Sequence, residues 1–173
     1  MSETSGIPGI TADIQAAIEA VIMNDEGGWS LSKDPDDGDG GWTYAGVTAN
    51  TYRTVYSGFY NYSDIEGFIR TNLAEIKKRV FTIYYQRFYT HLILNPRADF
   101  SDMQLSCAIN CGVATANNIA LSAKSRIDFA HQWMLAYGTI CKQNEVKIMY
   151  IHGWTNRVFR YLKEKEETPK LVA

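Results

Sequence analysis

The spacing of its apolar residues limits the fold of this 173-residue chain more than any other feature. Ile14, Ala17, Ile18, Val21 and Ile22 recur at i, i+3, i+4, i+7 and i+8, one stripe along a helix. Leu73, Ile76, Val80 and Ile83 or Tyr84 repeat the pattern within residues 71–93, the longest periodic stretch, with Glu75, Lys78 and Arg79 off the stripe. Strand-like alternation is scarce. A small hairpin within residues 31–47 is the most β-structure the pattern allows, so the expected fold is mainly α.

Local signals divide the chain further. Thr11 is the expected N-cap of the first helix, and Gly27-Gly28 supplies its stop. Residues 48–56 predict a short helix broken by Ser57-Gly58, and Ser63-Asp64-Ile65-Glu66 reads as a capping box opening the next. Phe81, Tyr84, Tyr85, Phe88 and Tyr89 give residues 71–93 more aromatic surface than one stripe needs. Most of these rings are expected in a core flank, with one or two able to face a ligand. Asn95-Pro96 marks a turn. Residues 99–121 are small and apolar, which suits a buried helical pair interrupted near Gly112. Residues 125–137 predict a helix ending before Gly138. Residues 144–167 predict the last helix, with Gly153 as a candidate break and a charged tail after it.

Several function classes lose ground at this point. A formal charge of −2 argues against nucleic acid as the main partner, and Lys77, Lys78 and Arg79 read as a solvated helix face. With 46% hydrophobic and 21% charged residues, the chain suits one domain, or one domain of two lobes, with a sizeable core. No run of apolar residues is long enough to span a bilayer, so membrane insertion is not expected. The start, MSETSGIPGITADIQ, lacks a basic region followed by an apolar one, so synthesis and folding in a cytoplasm are expected unless another system exports the chain. Cys107, Cys111 and Cys141 are odd in number and form no CxxC, so no disulfide framework is read. Cys107 and Cys111 are expected to pack as small hydrophobes. His91, His131 and His152 have neither HExxH nor Cys/His spacing, which leaves zinc chemistry without ligands. Pairing Cys107 with His131, or Cys141 with His152, would put a thiol in an apolar helix without a clear orienting partner.

Residues 24–48, NDEGGWSLSKDPDDGDGGWTYAGVT, carry the chemistry. Glu26 follows an apolar helical run and precedes an acidic, glycine-rich loop. Cutting a glycosidic bond needs a carboxylic acid that is still protonated near neutral pH. It also commonly needs a second carboxylate or a polarised water on the other face of the sugar. A Glu at the negative end of a helix beside Trp29 should have its pKa pushed upward if screened from water, while an aspartate in a hydrated loop stays ionised. Thr43 could hold a water through its hydroxyl. Calcium is the rival reading of DPDDGDGG, but counting from Asp34 the fifth position is Gly38 and the twelfth is Ala45, so the EF-hand ligand pattern fails.

The same stretch, Glu-Gly-Gly-Trp followed by DPDDGDGGWTYAGVT, resembles the signature of glycoside hydrolase family 108, N-acetylmuramidases common among phage endolysins. Three further segments are similar to that family: Ile83 to Tyr89 (IYYQRFY), Ala108 to Gly112 (AINCG) and Gly153 to Val158 (GWTNRV). Together the four segments span about residues 14–160. The resemblance implies a lysozyme-like two-lobed helical fold. Its catalytic lobe would hold Glu26 over about residues 11–95, and a C-terminal, peptidoglycan-binding-like helical lobe would cover about residues 96–165. It implies Glu26 as general acid, Asp37 as the loop carboxylate and Thr43 as the loop threonine. The loop is about three residues longer than the family pattern, so Asp36 and Asp39 compete with Asp37 for its role. Trp29, Trp42 and Tyr44 are candidates for stacking on sugar faces. Asn110 is expected to line the cleft or brace the acid. Trp154, with Asn156 and Arg157, is expected to bind peptidoglycan or, alternatively, to form a core ring with a buried cation partner.

The implied activity is cleavage of the β-1,4 bond between N-acetylmuramic acid and N-acetylglucosamine, with bacterial lysis as its result. No metal or organic cofactor is implied. Peptidoglycan is the expected partner and a monomer the expected state. Action in the periplasm or cell wall would follow release by a holin or another export route. A lytic transglycosylase using the same Glu, a non-catalytic cell-wall or virion module, and a secreted antibacterial effector remain open as alternatives.

Overall fold

A computed structural model of the chain describes residues 7–33, 41–58, 61–94 and 100–166. Among them the chain forms eight α-helices and one small antiparallel sheet, the mainly α architecture that the apolar spacing predicts. It divides into two compact units, Met1–Thr90 and His91–Ala173.

In the first unit, α1 (Ala12–Asp25) begins where the Thr11 side chain accepts from the Ile14 N–H at 3.3 Å. Of the stripe read from the sequence it buries Ile18, Val21 and Ile22, while Ile14 is half-buried and Ala17 exposed. The helix ends on Glu26. There the Ile22 carbonyl accepts from the N–H groups of Glu26 (3.3 Å) and Gly28 (2.9 Å). Gly27 and Gly28 follow at φ of 76° and 77°, a region that costs an L side chain about 1–2 kcal/mol. The paired glycines therefore let the chain leave the helix at once.

Three two-residue strands come next, β1 (Leu31–Ser32), β2 (Thr43–Tyr44) and β3 (Val47–Thr48), in the order β1-β2-β3. Leu31 pairs with Tyr44 and Ser32 with Thr43; Thr43 then pairs with Thr48 and Tyr44 with Val47. The single hairpin expected from sequence is thus a three-stranded meander. Its second turn is Ala45-Gly46, with φ of 49° and 76°, the left-handed pair that a two-residue hairpin of primed type requires.

The short helix expected over residues 48–56 is α2 (Ala49–Val55), capped by Thr48. The cap of α3 (Tyr62–Thr71) is Asn61, not Ser63: Asn61 Oδ1 accepts from the Asp64 N–H at 2.8 Å and from the Ser63 hydroxyl at 2.9 Å. The long periodic stretch forms α4 (Leu73–Arg87), followed by a 3-10 turn at Tyr89–His91. On α4, Arg79 pairs with Glu75 at 3.0 Å, donates to the Tyr52 hydroxyl at 3.1 Å and lies over the rings of Tyr56 and Phe68. One guanidinium thereby joins α2, α3 and α4. Ile18, Ile22, Trp42, Tyr52, Ile65, Ile76, Val80, Ile83 and Tyr84 make the core of this unit.

The second unit contains α5 (Ser101–Cys111), α6 (Val113–Ser122), α7 (Arg126–Gln143) and α8 (Ile151–Glu166). Gly112 separates the first two, as predicted. Gly138 and Gly153 do not act as breaks. α7 runs through Gly138 because Tyr137 and Cys141 on either side of it are buried, and α8 runs through Gly153 to bury Val158 and Tyr161. Such burial outweighs the roughly 1 kcal/mol that a helical glycine costs. Arg126 is buried, forms a forked pair with Asp102 at 2.7 and 2.8 Å, and donates through Nε to the Tyr161 carbonyl at 3.0 Å, which ties α5, α7 and α8 together. Cys107 and Cys141 are buried and Cys111 is half-buried, all three as free thiols.

Candidate active site

The end of α1 brings Glu26 against the tip of the β2–β3 hairpin. A Cβ added to Gly46 would stand 2.7 Å from both Cγ and Oε2 of Glu26, and would collide with the hydroxyl of Tyr84. The bare Gly46 backbone is therefore the surface on which the Glu26 side chain rests. Glu26 as a residue is half-buried, and its Oε1 is closed off from solvent. The hairpin tip is held from both sides. The Ala45 N–H donates to the Ser30 carbonyl at 3.0 Å, and the Tyr84 hydroxyl donates to the Ala45 carbonyl at 2.9 Å. The place of Glu26 at the helix end follows from the sequence pattern. Its contact with Gly46, and the part that Tyr84 plays in holding the tip, do not.

Trp29 lies beside this hairpin. Its ring meets Phe81 edge-on at 5.4 Å and Tyr44 at 6.2 Å, and the Lys77 ammonium sits 4.7 Å from its centre. The residue is half-buried and, of the three rings proposed for sugar stacking, is the one with substantial exposed surface. Lys77, read from sequence as part of a solvated face, instead partly covers that ring. Trp42 and Tyr44 are corrections. Trp42 is fully buried against Tyr52, and Tyr44 is 2% exposed with its hydroxyl pKa raised by burial, so neither presents a face to a sugar. Both rings belong to the buried core.

Thr43 is half-buried on β2, where its carbonyl accepts from the Ser32 hydroxyl at 3.4 Å. Asp37, like Asp36 and Asp39, lies outside the described residues. Asn110 and Trp154 belong to the second unit. The Asn110 side chain donates to the Ser106 carbonyl of its own helix at 2.8 Å. Trp154 is half-buried and stacks on Tyr137 (4.7 Å) and Tyr150 (6.1 Å). The Arg157 charge lies near Tyr137 and Cys111.

A family model described as glycosyl hydrolase 108 matches residues 19–112, a span that holds Glu26, the sheet and Tyr84. The chain belongs to this family of glycoside hydrolases. No curated protein and no solved structure matches it.

Proposed function

We propose that the chain is a peptidoglycan hydrolase, an N-acetylmuramidase that cuts the β-1,4 bond between N-acetylmuramic acid and N-acetylglucosamine. One observation carries this reading. The Glu26 carboxyl rests on Gly46 at the negative end of α1, with one oxygen out of solvent, inside the span matched to a glycoside hydrolase family. Both the helix end and the partial removal from water favour a carboxyl that keeps its proton. That is the form needed to protonate a leaving glycosidic oxygen. In this reading Asp37 stabilises the positive charge that develops on the sugar or orients the attacking water. The Thr43 hydroxyl helps to hold that water, and Trp29 supplies an apolar face for a sugar ring. The enzyme reaches its polymer from the cytoplasm through a holin or another export route, and lysis follows.

Mass spectrometry of fragments released from purified sacculi, with a borohydride-reduced sample alongside, tests the chemistry. Fragments ending in reducible N-acetylmuramic acid are the expected product. Non-reducible 1,6-anhydro ends would keep Glu26 as the acid but remove the attacking water, making the protein a lytic transglycosylase. Glu26→Gln should lower the rate by about a hundredfold or more while the protein melts almost as the wild type does. Undiminished cutting by that variant would end the proposal.

A further inference from the structure

Helix α4 is rich in aromatic residues, and one of its rings stands where packing alone does not require a hydroxyl. Tyr84 is 1% exposed. Its oxygen reaches the point above Gly46 that Glu26 Cγ and Oε2 also crowd, each of these 2.7 Å from where a Cβ would be. A phenol has one proton, and Tyr84 gives its proton to the Ala45 carbonyl at 2.9 Å. That carbonyl is fixed in direction, because Ala45 sits in a left-handed turn with its own N–H bound to Ser30 at 3.0 Å. With its proton committed, the phenol oxygen offers only lone pairs toward a neighbouring carboxyl. Lone pairs stabilise a carboxylic acid, which can donate, and disfavour a carboxylate, which cannot.

The geometry points to Tyr84 as a positioning residue for Glu26, one that orients the carboxyl over Gly46 and holds it in its protonated form between turnovers. This inference rests on Glu26 being the acid of the reading above. Other titratable groups on the surrounding elements are Asp13, Glu19 and Asp25 on α1, Lys33 after β1, Tyr44 on β2, Tyr52 and Arg53 on α2, and Glu75, Lys77, Lys78, Arg79, Tyr85 and Arg87 on α4. Lys33 lies over Tyr62 at 5.9 Å, Lys77 lies over Trp29 at 4.7 Å, and Tyr85 stacks on Tyr89 at 6.1 Å. Burial keeps Tyr44 neutral.

The test compares the protein with Tyr84→Phe and Glu26→Gln, following loss of turbidity of purified sacculi across pH, with a thermal melt of each. Tyr84→Phe should lower the maximal rate about tenfold and move the alkaline limb of the profile about one pH unit downward, with apparent KM unchanged. The sign follows from the chemistry: without the lone pair Glu26 gives up its proton earlier as pH rises. A rate lowered equally at every pH, or an unmoved profile, overturns the inference and leaves Tyr84 a structural residue. Lysis by Glu26→Gln would instead overturn the reading beneath it. Carbon-13 NMR titration of the Glu26 carboxyl in the wild type, assigned by its loss in Glu26→Gln, gives an answer even if Tyr84→Phe does not fold. A midpoint clearly above about 4.3 is expected, and one at or below it overturns the inference.

Discussion

Substituting Gly46 by alanine probes the candidate site with a single methyl group. Two costs combine. The first is backbone: φ of 76° lies in the left-handed region, where an L side chain costs about 1–2 kcal/mol. The second is contact, because the new carbon would sit 2.7 Å from Glu26 Cγ and Oε2 and against the Tyr84 hydroxyl. Overpacking of that kind typically costs a further 1–3 kcal/mol or so. Gly41→Ala supplies the matched control, since its φ is 71° but no atom of the described residues stands within 4 Å of the added carbon. Gly46→Ala should therefore lose about 3 kcal/mol against about 1–2 for the control. In a thermal melt, at about 2–4 °C per kcal/mol for a chain of this size, that is a fall of about 6–12 °C. Activity on sacculi, measured well below either transition, should drop at least tenfold or so in Gly46→Ala because Glu26 must move off its support. Equal destabilisation of the two variants, with Gly46→Ala fully active, would refute the close approach of Glu26 to the hairpin.

Two further outcomes follow from features away from that contact. Burial raises the pKa values of Tyr44, Tyr52, Tyr89 and Tyr137 above the ordinary value of 10.0, so the folded state binds their protons more tightly than the unfolded state. That stability is complete below pH 10 or so and is lost as pH climbs beyond it; melts between about pH 8 and 11 should show the fall, and Tyr137→Phe should lessen it. Arg126→Ala removes the donor to the Tyr161 carbonyl and a buried side chain, and should cost about 3 kcal/mol in urea unfolding; Asp102→Asn should cost about 1 because Asp102 is half-exposed. Equal costs would show that the ion pair, rather than the carbonyl contact, ties the three helices.

Much of the helical frame was legible because its signals are local. The period of α1, the Thr11 cap, the Gly27-Gly28 exit and the Gly112 break each act over one or two turns. What failed depends on partners distant in sequence. Gly138 and Gly153 carry the usual stop residue, yet the helices continue because side chains beyond them have a core to enter. Ser63 had the capping-box spacing, but the helix starts two residues earlier, where Asn61 accepts from the Asp64 N–H. β3 went unread because Ala45-Gly46 lacks the Asn-Gly or Asp-Gly signature, and Ala45 is kept at positive φ by Ser30 and Tyr84 rather than by its own preference. The place of Glu26 at the end of α1 was legible because the apolar period and the paired glycines fix where the helix stops. Trp42 and Tyr44 misled because an aromatic beside an acidic loop looks the same in sequence whether it faces the ligand or the core.

The sheet also separates the parts of the chain that are free to vary in length from those that are not. Leu31 and Ser32 pair directly with Tyr44 and Thr43, so the acidic loop leaves and rejoins the protein through adjacent strands. Adding three residues to a loop of this size raises its closure entropy by only about 0.3 kcal/mol. Glu26 takes its place from α1 and from the two-residue turn at Ala45-Gly46, both outside that loop. The acidic segment can therefore be lengthened or rebuilt while Glu26 stays where it is. A single insertion between Tyr44 and Val47 would have no such freedom.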